Sequence, residues 1–392
     1  MKILIINTTF DFKSPNTICV KEIIKECETR GHECMVVTKY GTAYKTNVSG
    51  YVDIKENSFL LKSKLGYRIA ILLSFFTWPR ILFQNLSIFK KKVKTAIEEF
   101  SPECLIAYCN SYESLYVASR MKGMYGNRFK YLAYFLDSIY AGPVPTMMTE
   151  KRRDRLALRA EHRVLSNADS IIMMKAAENK YLHNQAQIKY FKKISFLDIP
   201  LFCPKKLKTN HRTLFPEGQL ICLFAGSMPY NIRSPRYLLN LISNIQIDNL
   251  QFYFAGSSDY MTELQSLEAN NSNIHILGQL KHEEVMRYIS EADVLINIGN
   301  NLKGMVPCKI FEYMSTGKPI ITTQKIDDDP CIRYYEKYDQ CLVIDESRSI
   351  DVSKKSFEEF LLNIDNNRDT KIDYSSMYLN TPKAFVDSIE VL

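Results

Sequence analysis

The stretch from residue 292 to residue 323 constrains the fold more than any other part of the chain. It contains an apolar run, VLINI at 294–298, with the length and branching of a strand buried in a parallel sheet. A glycine-bearing loop follows, and a short helix is predicted to begin at Pro307. The tripeptide Gly-Lys-Pro at 317–319 is a typical helix stop, after which a second apolar strand reaches residue 323. This order of elements predicts an α/β fold with a parallel sheet.

The predicted helix presents a polar face formed by Lys309, Glu312 and Thr316, because side chains three and four residues apart stack on a helix. We expect it at the carboxyl edge of the sheet, where open α/β sheets bind ligands. Helix amides with a lysine suit a diphosphate, and a carboxylate suits the hydroxyls of a ribose or sugar. Two interpretations stay open: a nucleotide-sugar site, or an ordinary crossover on whose surface Lys309 and Glu312 pair.

The segment 306–323, VPCKIFEYMSTGKPIITT, resembles the donor-site segment of GT-B glycosyltransferases, in particular glycosyltransferase family 4 and its bacterial polysaccharide-assembly relatives. The resemblance implies an α/β GT-B fold of two Rossmann-like domains that face each other across a cleft. It also implies that Glu312 binds the nucleotide ribose and that the preceding loop, with Gly304, Met305 and Val306, holds the diphosphate and the donor sugar. Many relatives carry a further sugar-contacting glutamate at the position of Gly304, so the chain departs from the family pattern there.

Length and composition indicate two globular domains in a reducing compartment. The chain has 392 residues, of which 46% are apolar and 24% charged, enough for two cores. Its ten cysteines form no Cys-x-x-Cys pair, which favours buried thiols over disulfides or a zinc site. The formal charge of +8 favours acidic partners such as nucleotide diphosphates or anionic lipid. We find no nucleic-acid-binding module and expect no nucleic-acid partner.

The sequence predicts a cytoplasmic protein with one region suited to a membrane surface. Residues 1–6 are too short for a signal-peptide core, and no apolar run is long enough to cross a bilayer. Residues 61–94 combine lysines at both ends with several aromatic side chains. They suit either peripheral contact with the anionic inner face of the plasma membrane or core helices with solvated lysines.

The first domain is predicted to open with a strand at 3–6, a helix and a second strand, a βαβ unit. The loop after the first strand lacks the Gly-x-Gly-x-x-Gly pattern, which argues against a dinucleotide-dependent dehydrogenase. In the family this loop faces the acceptor, so the resemblance makes Asn7 and Thr8 acceptor-side candidates. A later strand at 131–136 ends at Asp137, which either orients the acceptor hydroxyl, as in the family, or caps the next segment.

The second domain is predicted to begin with a strand at 220–225, a Gly-Ser turn and a helix preceded by Arg233, a second phosphate cradle at the same sheet edge. Arg236 is the second choice for the diphosphate-binding cation. A further strand leads into Gly278, whose loop resembles the base-binding loop of the family. The predicted donor site consists of Gly226, Ser227, Arg233, Gly278, Gln279, Leu280, Gly304, Met305, Val306, Lys309 and Glu312.

Three segments are predicted: an acceptor domain at 1–205, a donor domain at 206–375, and a helix at 376–392 that packs back on the first domain. By resemblance, the chain transfers a sugar, with retention, from a UDP-sugar to a lipid-linked oligosaccharide or polysaccharide during capsule, exopolysaccharide or O-antigen assembly. The catalytic candidates are Asp137, Lys309 and Arg233, with no metal or cofactor expected. The alternatives are a non-catalytic GT-B protein that binds a nucleotide sugar or a partner enzyme, and a nucleotide-sugar epimerase.

Overall fold

The computed structural model divides the chain into two compact units. One unit comprises Met1–Leu201 together with Tyr378–Leu392, and the other comprises Phe202–Met377. The structure describes residues 1–9, 15–40, 79, 86–109, 112–136, 138–140, 144, 148–204, 213–230, 232–302, 306–364 and 375–392. The division after Leu201 lies close to the predicted boundary at residue 205.

The first unit is a six-stranded, wholly parallel sheet with the strand order β2-β1-β3-β4-β5-β6. Its strands are β1 (Lys2–Thr9), β2 (Glu33–Tyr40), β3 (Cys104–Cys109), β4 (Lys130–Phe135), β5 (Ser170–Met174) and β6 (Ile194–Leu197). Its helices are α1 (Pro15–Thr29), α2 (Leu86–Phe100), α3 (Tyr112–Tyr125), α4 (Glu150–Leu165), α5 (Glu178–His183) and α12 (Pro382–Glu390). Strands that are apolar throughout are expected where helices cover both faces of a sheet.

The helices cover the two faces of this sheet in separate groups. Because crossovers between parallel strands are right-handed, α1 lies on one face, while α2, α3 and α4 lie side by side on the other. The C-terminal helix α12 packs against α1. Arg30 at the end of α1 forms ion pairs with Asp387 at 2.6 Å and Glu390 at 2.9 Å. The ring of Phe385 lies 4.5 Å from that of Tyr134 in β4.

A buried carboxylate fixes the segment that follows β4. Glu161 in α4 is 0% exposed, and one of its oxygens accepts a hydrogen bond from the backbone N–H of Tyr140 at 2.9 Å. The other accepts from the hydroxyls of Tyr181 at 2.7 Å and Tyr190 at 2.5 Å. Burial raises the pKa of Glu161, and the donated hydrogen bonds oppose that rise. These contacts give Glu161 a structural role.

The second unit is also a six-stranded parallel sheet, with the order β12-β11-β10-β7-β8-β9. Its strands are β7 (Leu220–Ala225), β8 (Leu250–Ala255), β9 (Ile274–Gly278), β10 (Val294–Asn297), β11 (Ile320–Gln324) and β12 (Cys341–Asp345). Its helices are α6 (Arg236–Ser243), α7 (Met261–Asn270), α8 (His282–Glu291), α9 (Lys309–Met314), α10 (Ile332–Tyr335) and α11 (Ile350–Leu362). The predicted α/β class is confirmed.

The stretch at 292–323 forms the predicted strand, loop, helix and strand, with shifted ends. Helix α9 begins at Lys309 rather than at Pro307, since Pro307 and Cys308 form the turn whose carbonyl groups accept its first hydrogen bonds. Gly317 stops it with φ 71°, a conformation that favours glycine. No helix in the described ranges is long and apolar enough to span a membrane.

Candidate functional site

The strand order of the second unit opens a crevice between β7 and β10. The chain proceeds from β7 outward to β8 and β9, then returns to place β10 on the opposite side of β7. Loops that leave neighbouring strands in opposite directions separate at the carboxyl edge, and open α/β sheets bind ligands at such a point. The loops that leave here are residues 226–235 and 298–308. Among the described residues of the predicted donor site, Gly226, Ser227, Arg233 and Val306 lie in them. The two loops are joined by a hydrogen bond from Asn301 N to Ile232 O at 2.9 Å.

Tyr313 closes the base of this crevice. The backbone pairing between β7 and β10 ends at Phe224 and Ile296. Beyond that point the backbone N–H of Ala225 donates to the Tyr313 hydroxyl at 2.8 Å, and the hydroxyl donates to the Ala225 carbonyl at 3.2 Å. Burial raises the pKa of Tyr313, so the hydroxyl keeps the proton that it donates. Helix α9 is thereby attached to the residue directly before the Gly226 turn.

The contact of Tyr313 with Ala225 could not be predicted from the sequence, although the sequence contains one signal of it. A tyrosine among the buried apolar residues of a short helix needs a partner for its hydroxyl. The partner, a backbone unit 88 residues away in sequence, is known only from the fold.

We expect Tyr313→Phe to destabilise the protein by about 1–3 kcal/mol and to weaken nucleotide-sugar binding, because it leaves two backbone groups of Ala225 without their partner. Thermal unfolding and a nucleotide-sugar titration measure the two effects. Tyr338→Phe is the matched control, since its buried hydroxyl donates to Lys318 O at 2.7 Å, away from the crevice. It should lose stability but keep its affinity. Equal losses of affinity in both variants would contradict the role of Tyr313.

Three glycine turns lie side by side at this edge of the sheet. The Gly226 N–H donates to Ala255 O at 2.9 Å, and the Gly256 N–H donates to Gly278 O at 2.7 Å. A Cβ added to Gly256 would lie 1.7 Å from the Gly226 carbonyl oxygen, and Gly256 has φ 128°. Only glycine allows this close approach of two backbones. The turns at Gly226 and Gly256 are therefore in direct backbone contact, and the phosphate-binding role of the Gly226 turn stays a prediction.

Arg233 is a buried cation at this turn. It is 9% exposed, and its Nη1 donates to Ser227 O at 2.9 Å. Its Nε has no hydrogen-bond partner, and within the described residues no carboxylate forms an ion pair with it. Burial lowers its pKa, which reflects the cost of holding a charge away from water. Such a guanidinium needs an anion, and this arrangement fits the predicted diphosphate contact.

Arg236, the second choice for that contact, is engaged elsewhere. Its guanidinium is exposed and forms an ion pair with Glu263 at 2.6 Å. Ser227 is exposed beside the turn, and only its carbonyl is involved in holding Arg233.

Lys309 and Glu312 form an ion pair with a separation of 2.7 Å, as the second interpretation of their spacing expected. Their side chains remain 24% and 14% exposed, so a ligand at the crevice can reach both. The pairing is therefore compatible with both interpretations. Val306, at the start of the same segment, is half-buried.

The other predicted site residues have different surroundings. Gly278 ends β9 with φ 67°, and Gln279 and Leu280 follow in the loop to α8. Asn7 and Thr8 are not loop residues as predicted. They belong to β1, which continues because β2 pairs with it through Tyr40, and both are buried. They lie in the first unit at the end of β1, where β2 and β3 flank it on opposite sides.

Some predicted residues lie outside the described part of the chain, namely Asp137, Gly304 and Met305. Their roles stay predictions. Across the described ranges, no group of three or more His, Cys, Asp or Glu side chains is arranged to hold a metal ion. In the acidic run at 327–329, the Asp329 carboxylate accepts a hydrogen bond from the Cys331 N–H at 2.9 Å, which is a turn-forming contact.

Solved structures with the same fold include three informative proteins. Sucrose-phosphate synthase from Thermosynechococcus elongatus is 14% identical with a TM-score of 0.63, and the match covers 100% of both chains. Anabaena Alr3699/HepE, solved in complex with UDP-glucose, is 14% identical with a TM-score of 0.59 over 100% of both chains. WaaG, a glycosyltransferase involved in lipopolysaccharide biosynthesis, is 11% identical with a TM-score of 0.55, over 98% of this chain and 95% of its own. The predicted GT-B fold is confirmed.

The family comparison concerns the second unit. Residues 219–346 match the family model of glycosyl transferases group 1. The chain has the GT-B fold, and its second unit contains a domain similar to the group 1 glycosyl transferases. This domain contains the Gly226 turn, Arg233, Lys309 and Glu312, and so includes both loops of the crevice. No curated protein sequence matches the chain.

Proposed function

We propose that this glycosyltransferase takes its sugar from a nucleotide sugar, with a UDP-sugar as the expected donor, and adds it to a lipid-linked oligosaccharide or polysaccharide with retention. The observation that carries the proposal is the buried guanidinium of Arg233 beside the Gly226 turn, with no carboxylate partner in the described part of the chain. The UDP-glucose complex of HepE and the lipopolysaccharide role of WaaG support the donor and acceptor classes.

The proposed chemistry depends on stabilising the departing diphosphate. Glycosyl transfer develops negative charge on the leaving group, and preorganised donors in a dry site stabilise it most effectively. Arg233 supplies a fixed cation, and Lys309 supplies a second one from α9. Glu312, beside Lys309 at 2.7 Å, would accept hydrogen bonds from the ribose hydroxyls. No cofactor or metal is part of the proposal, because these two cations supply the positive charge.

The acceptor side is assigned to the first unit. Asn7 and Thr8 end β1 at the edge where a substrate of that unit would bind, and Asp137 follows β4 in sequence. In the proposed retaining reaction the leaving phosphate takes the proton of the acceptor hydroxyl. Asp137 would then orient the acceptor.

Glu312→Ala tests the donor site directly. We expect a UDP-sugar at about 100 times its Kd to stabilise the native protein by about 2.7 kcal/mol, and the variant to lose this stabilisation. A screen of UDP-, GDP- and dTDP-sugars by thermal shift first identifies the nucleotide sugar that stabilises the native protein. The same measurement on the variant then shows whether this stabilisation is lost. Glu263→Ala is the control, an exposed acid of the same unit. An undiminished shift in Glu312→Ala would remove Glu312 from the site.

The alternative of a non-catalytic GT-B protein is motivated by Gly304, which stands where many relatives have a glutamate. A turnover assay distinguishes an enzyme from a non-catalytic binding protein. An enzyme releases UDP when a membrane extract supplies the acceptor, and mass spectrometry then detects the lengthened glycan. A binding protein holds the nucleotide sugar without release. An epimerase would convert UDP-N-acetylglucosamine with no acceptor at all.

The proposed location is the inner face of the plasma membrane, where a lipid-linked acceptor is presented. The predicted membrane contact through 61–94 falls mostly outside the described residues, which include only 79 and 86–94 of it. It stays a prediction.

A further inference from the structure

Helices α2, α3 and α4 carry most of the net charge of the protein. They pack side by side on one face of the first sheet. Together they contain twelve Lys and Arg residues against six Asp and Glu residues, an excess of six positive charges, while the whole chain has a formal charge of +8. We call the solvent-facing surface of these three helices the basic face.

Two of the six acids of these helices are buried, and so are two of the twelve cations, Lys122 and Arg153. Glu113 is buried and pairs with buried Lys39 at 2.6 Å. Glu161 is buried among tyrosine hydroxyls, as described above. Asp154 pairs with the buried side chain of Arg153 at 2.7 Å. The surface seen by a partner therefore keeps the excess of six positive charges that the helix sequences contain.

Two cations lie over the ring of one tyrosine at the basic face, and the charge of a third, Arg163, also acts on it. Lys90 Nζ lies 5.0 Å from the centre of the Tyr116 ring, and Arg120 Cζ lies 5.3 Å from it. A hydrogen bond from Arg120 lowers the pKa of Tyr116, and the charges of Lys90, Arg120 and Arg163 lower it further. Over the ranges that the structure describes, none of the three cations forms an ion pair with a carboxylate. Like charges brought together repel, so this cluster favours an anionic partner.

The same helices expose two large apolar side chains. Ile88 in α2 is 46% exposed and Met124 in α3 is 61% exposed. Side-by-side helices with cations and protruding apolar side chains suit the interface of a bilayer, where both anionic headgroups and acyl chains are within reach.

We propose that the basic face docks on an anionic lipid bilayer. The proposal extends the proposed function, on which it rests, because a lipid-linked acceptor lies in such a surface. It assigns the contact to three described helices, only part of one of which falls within the predicted segment 61–94.

The test is co-sedimentation of the full chain with phosphatidylcholine vesicles that contain or lack phosphatidylglycerol. We expect binding only to the anionic vesicles, and weaker binding at high salt. The triple variant Lys90→Gln, Arg120→Gln, Arg163→Gln should bind about 100-fold more weakly, since each basic residue near such a surface contributes about fivefold. The matched control removes three lysines of the second unit, by Lys337→Gln, Lys354→Gln and Lys355→Gln, and should bind like the native protein.

Several outcomes would overturn the proposal: equal binding to both kinds of vesicle, equal losses in the two triple variants, or binding of single-stranded RNA but of no vesicle. The three substituted side chains are at the surface, so thermal unfolding should stay near that of the native protein. Stabilisation by UDP-sugar should also be unchanged in the basic-face variant. This measurement distinguishes a failure of the membrane-docking proposal from a failure of the proposed donor site.

Discussion

Replacing Arg233 by methionine is expected to lower the rate of sugar transfer by about 100- to 1000-fold, the range seen when one donor to a developing anion is removed. Arg233 is fixed by the Ser227 carbonyl at 2.9 Å and is buried, so it is preorganised to meet the charge of the leaving diphosphate. The measurement is UDP release with a membrane-extract acceptor at saturating donor. Without ligand, stability should be unchanged or higher, because a buried cation that forms no ion pair within the described residues is replaced by an apolar side chain of similar length.

Arg236→Met is the matched control for this experiment. Arg236 lies three residues further along the chain, at the first position of α6, but it is exposed and paired with Glu263. Its loss should change turnover by less than about threefold, since exposed ion pairs contribute little. If both variants lost activity equally, or if Arg233→Met kept full turnover, the assignment of the diphosphate to Arg233 would have to be abandoned.

Gly256→Ala is expected to destabilise the second unit by at least about 3 kcal/mol. A strained backbone conformation costs on the order of 1–3 kcal/mol, and overpacking typically adds about 1–3 kcal/mol. Here both apply, because Gly256 has φ 128° and the new Cβ would lie 1.7 Å from the Gly226 carbonyl oxygen. The two turns would have to separate, so nucleotide-sugar binding should be lost as well. Denaturant unfolding and a UDP-sugar titration measure these effects.

Gly218→Ala separates strain from close contact. Gly218 also has positive φ, at 75°, but a Cβ there would meet nothing within 4 Å. We expect Gly218→Ala to lower the free energy of unfolding by only about 1 kcal/mol and to leave nucleotide-sugar binding normal. A Gly256→Ala protein as stable as Gly218→Ala would show that the close approach of the two turns is not what constrains residue 256.

Local patterns in the sequence predict individual elements well. The apolar run at 220–225 coincides with β7, and the Gly-Lys-Pro tripeptide ends α9 where expected. These features depend on neighbouring residues only. The same is true of the ion pair between Lys309 and Glu312, which their spacing of three allowed.

Properties that depend on strand order could not be predicted from the sequence. The crevice exists because β10 lies beside β7, and Tyr313 acts there because β10 leaves β7 just before Ala225. For the same reason the burial of Arg233 and the pairing of Lys39 with Glu113 were not predicted. The apolar run ends at residue 6, so the sequence predicts Asn7 and Thr8 in a loop, whereas pairing with β2 keeps them in the strand.

The first unit is assembled from two distant parts of the chain, since Tyr378–Leu392 belongs with Met1–Leu201. During translation the ribosome produces the whole of the second unit before α12 emerges. The second unit, made of one continuous segment, can therefore mature while the nascent chain is still attached, as domains generally do. The first unit stays incomplete until α12 is present. Before then Phe385 does not cover Tyr134, and Arg30 has no ion pair with Asp387. The part synthesised first is thus the last to be completed.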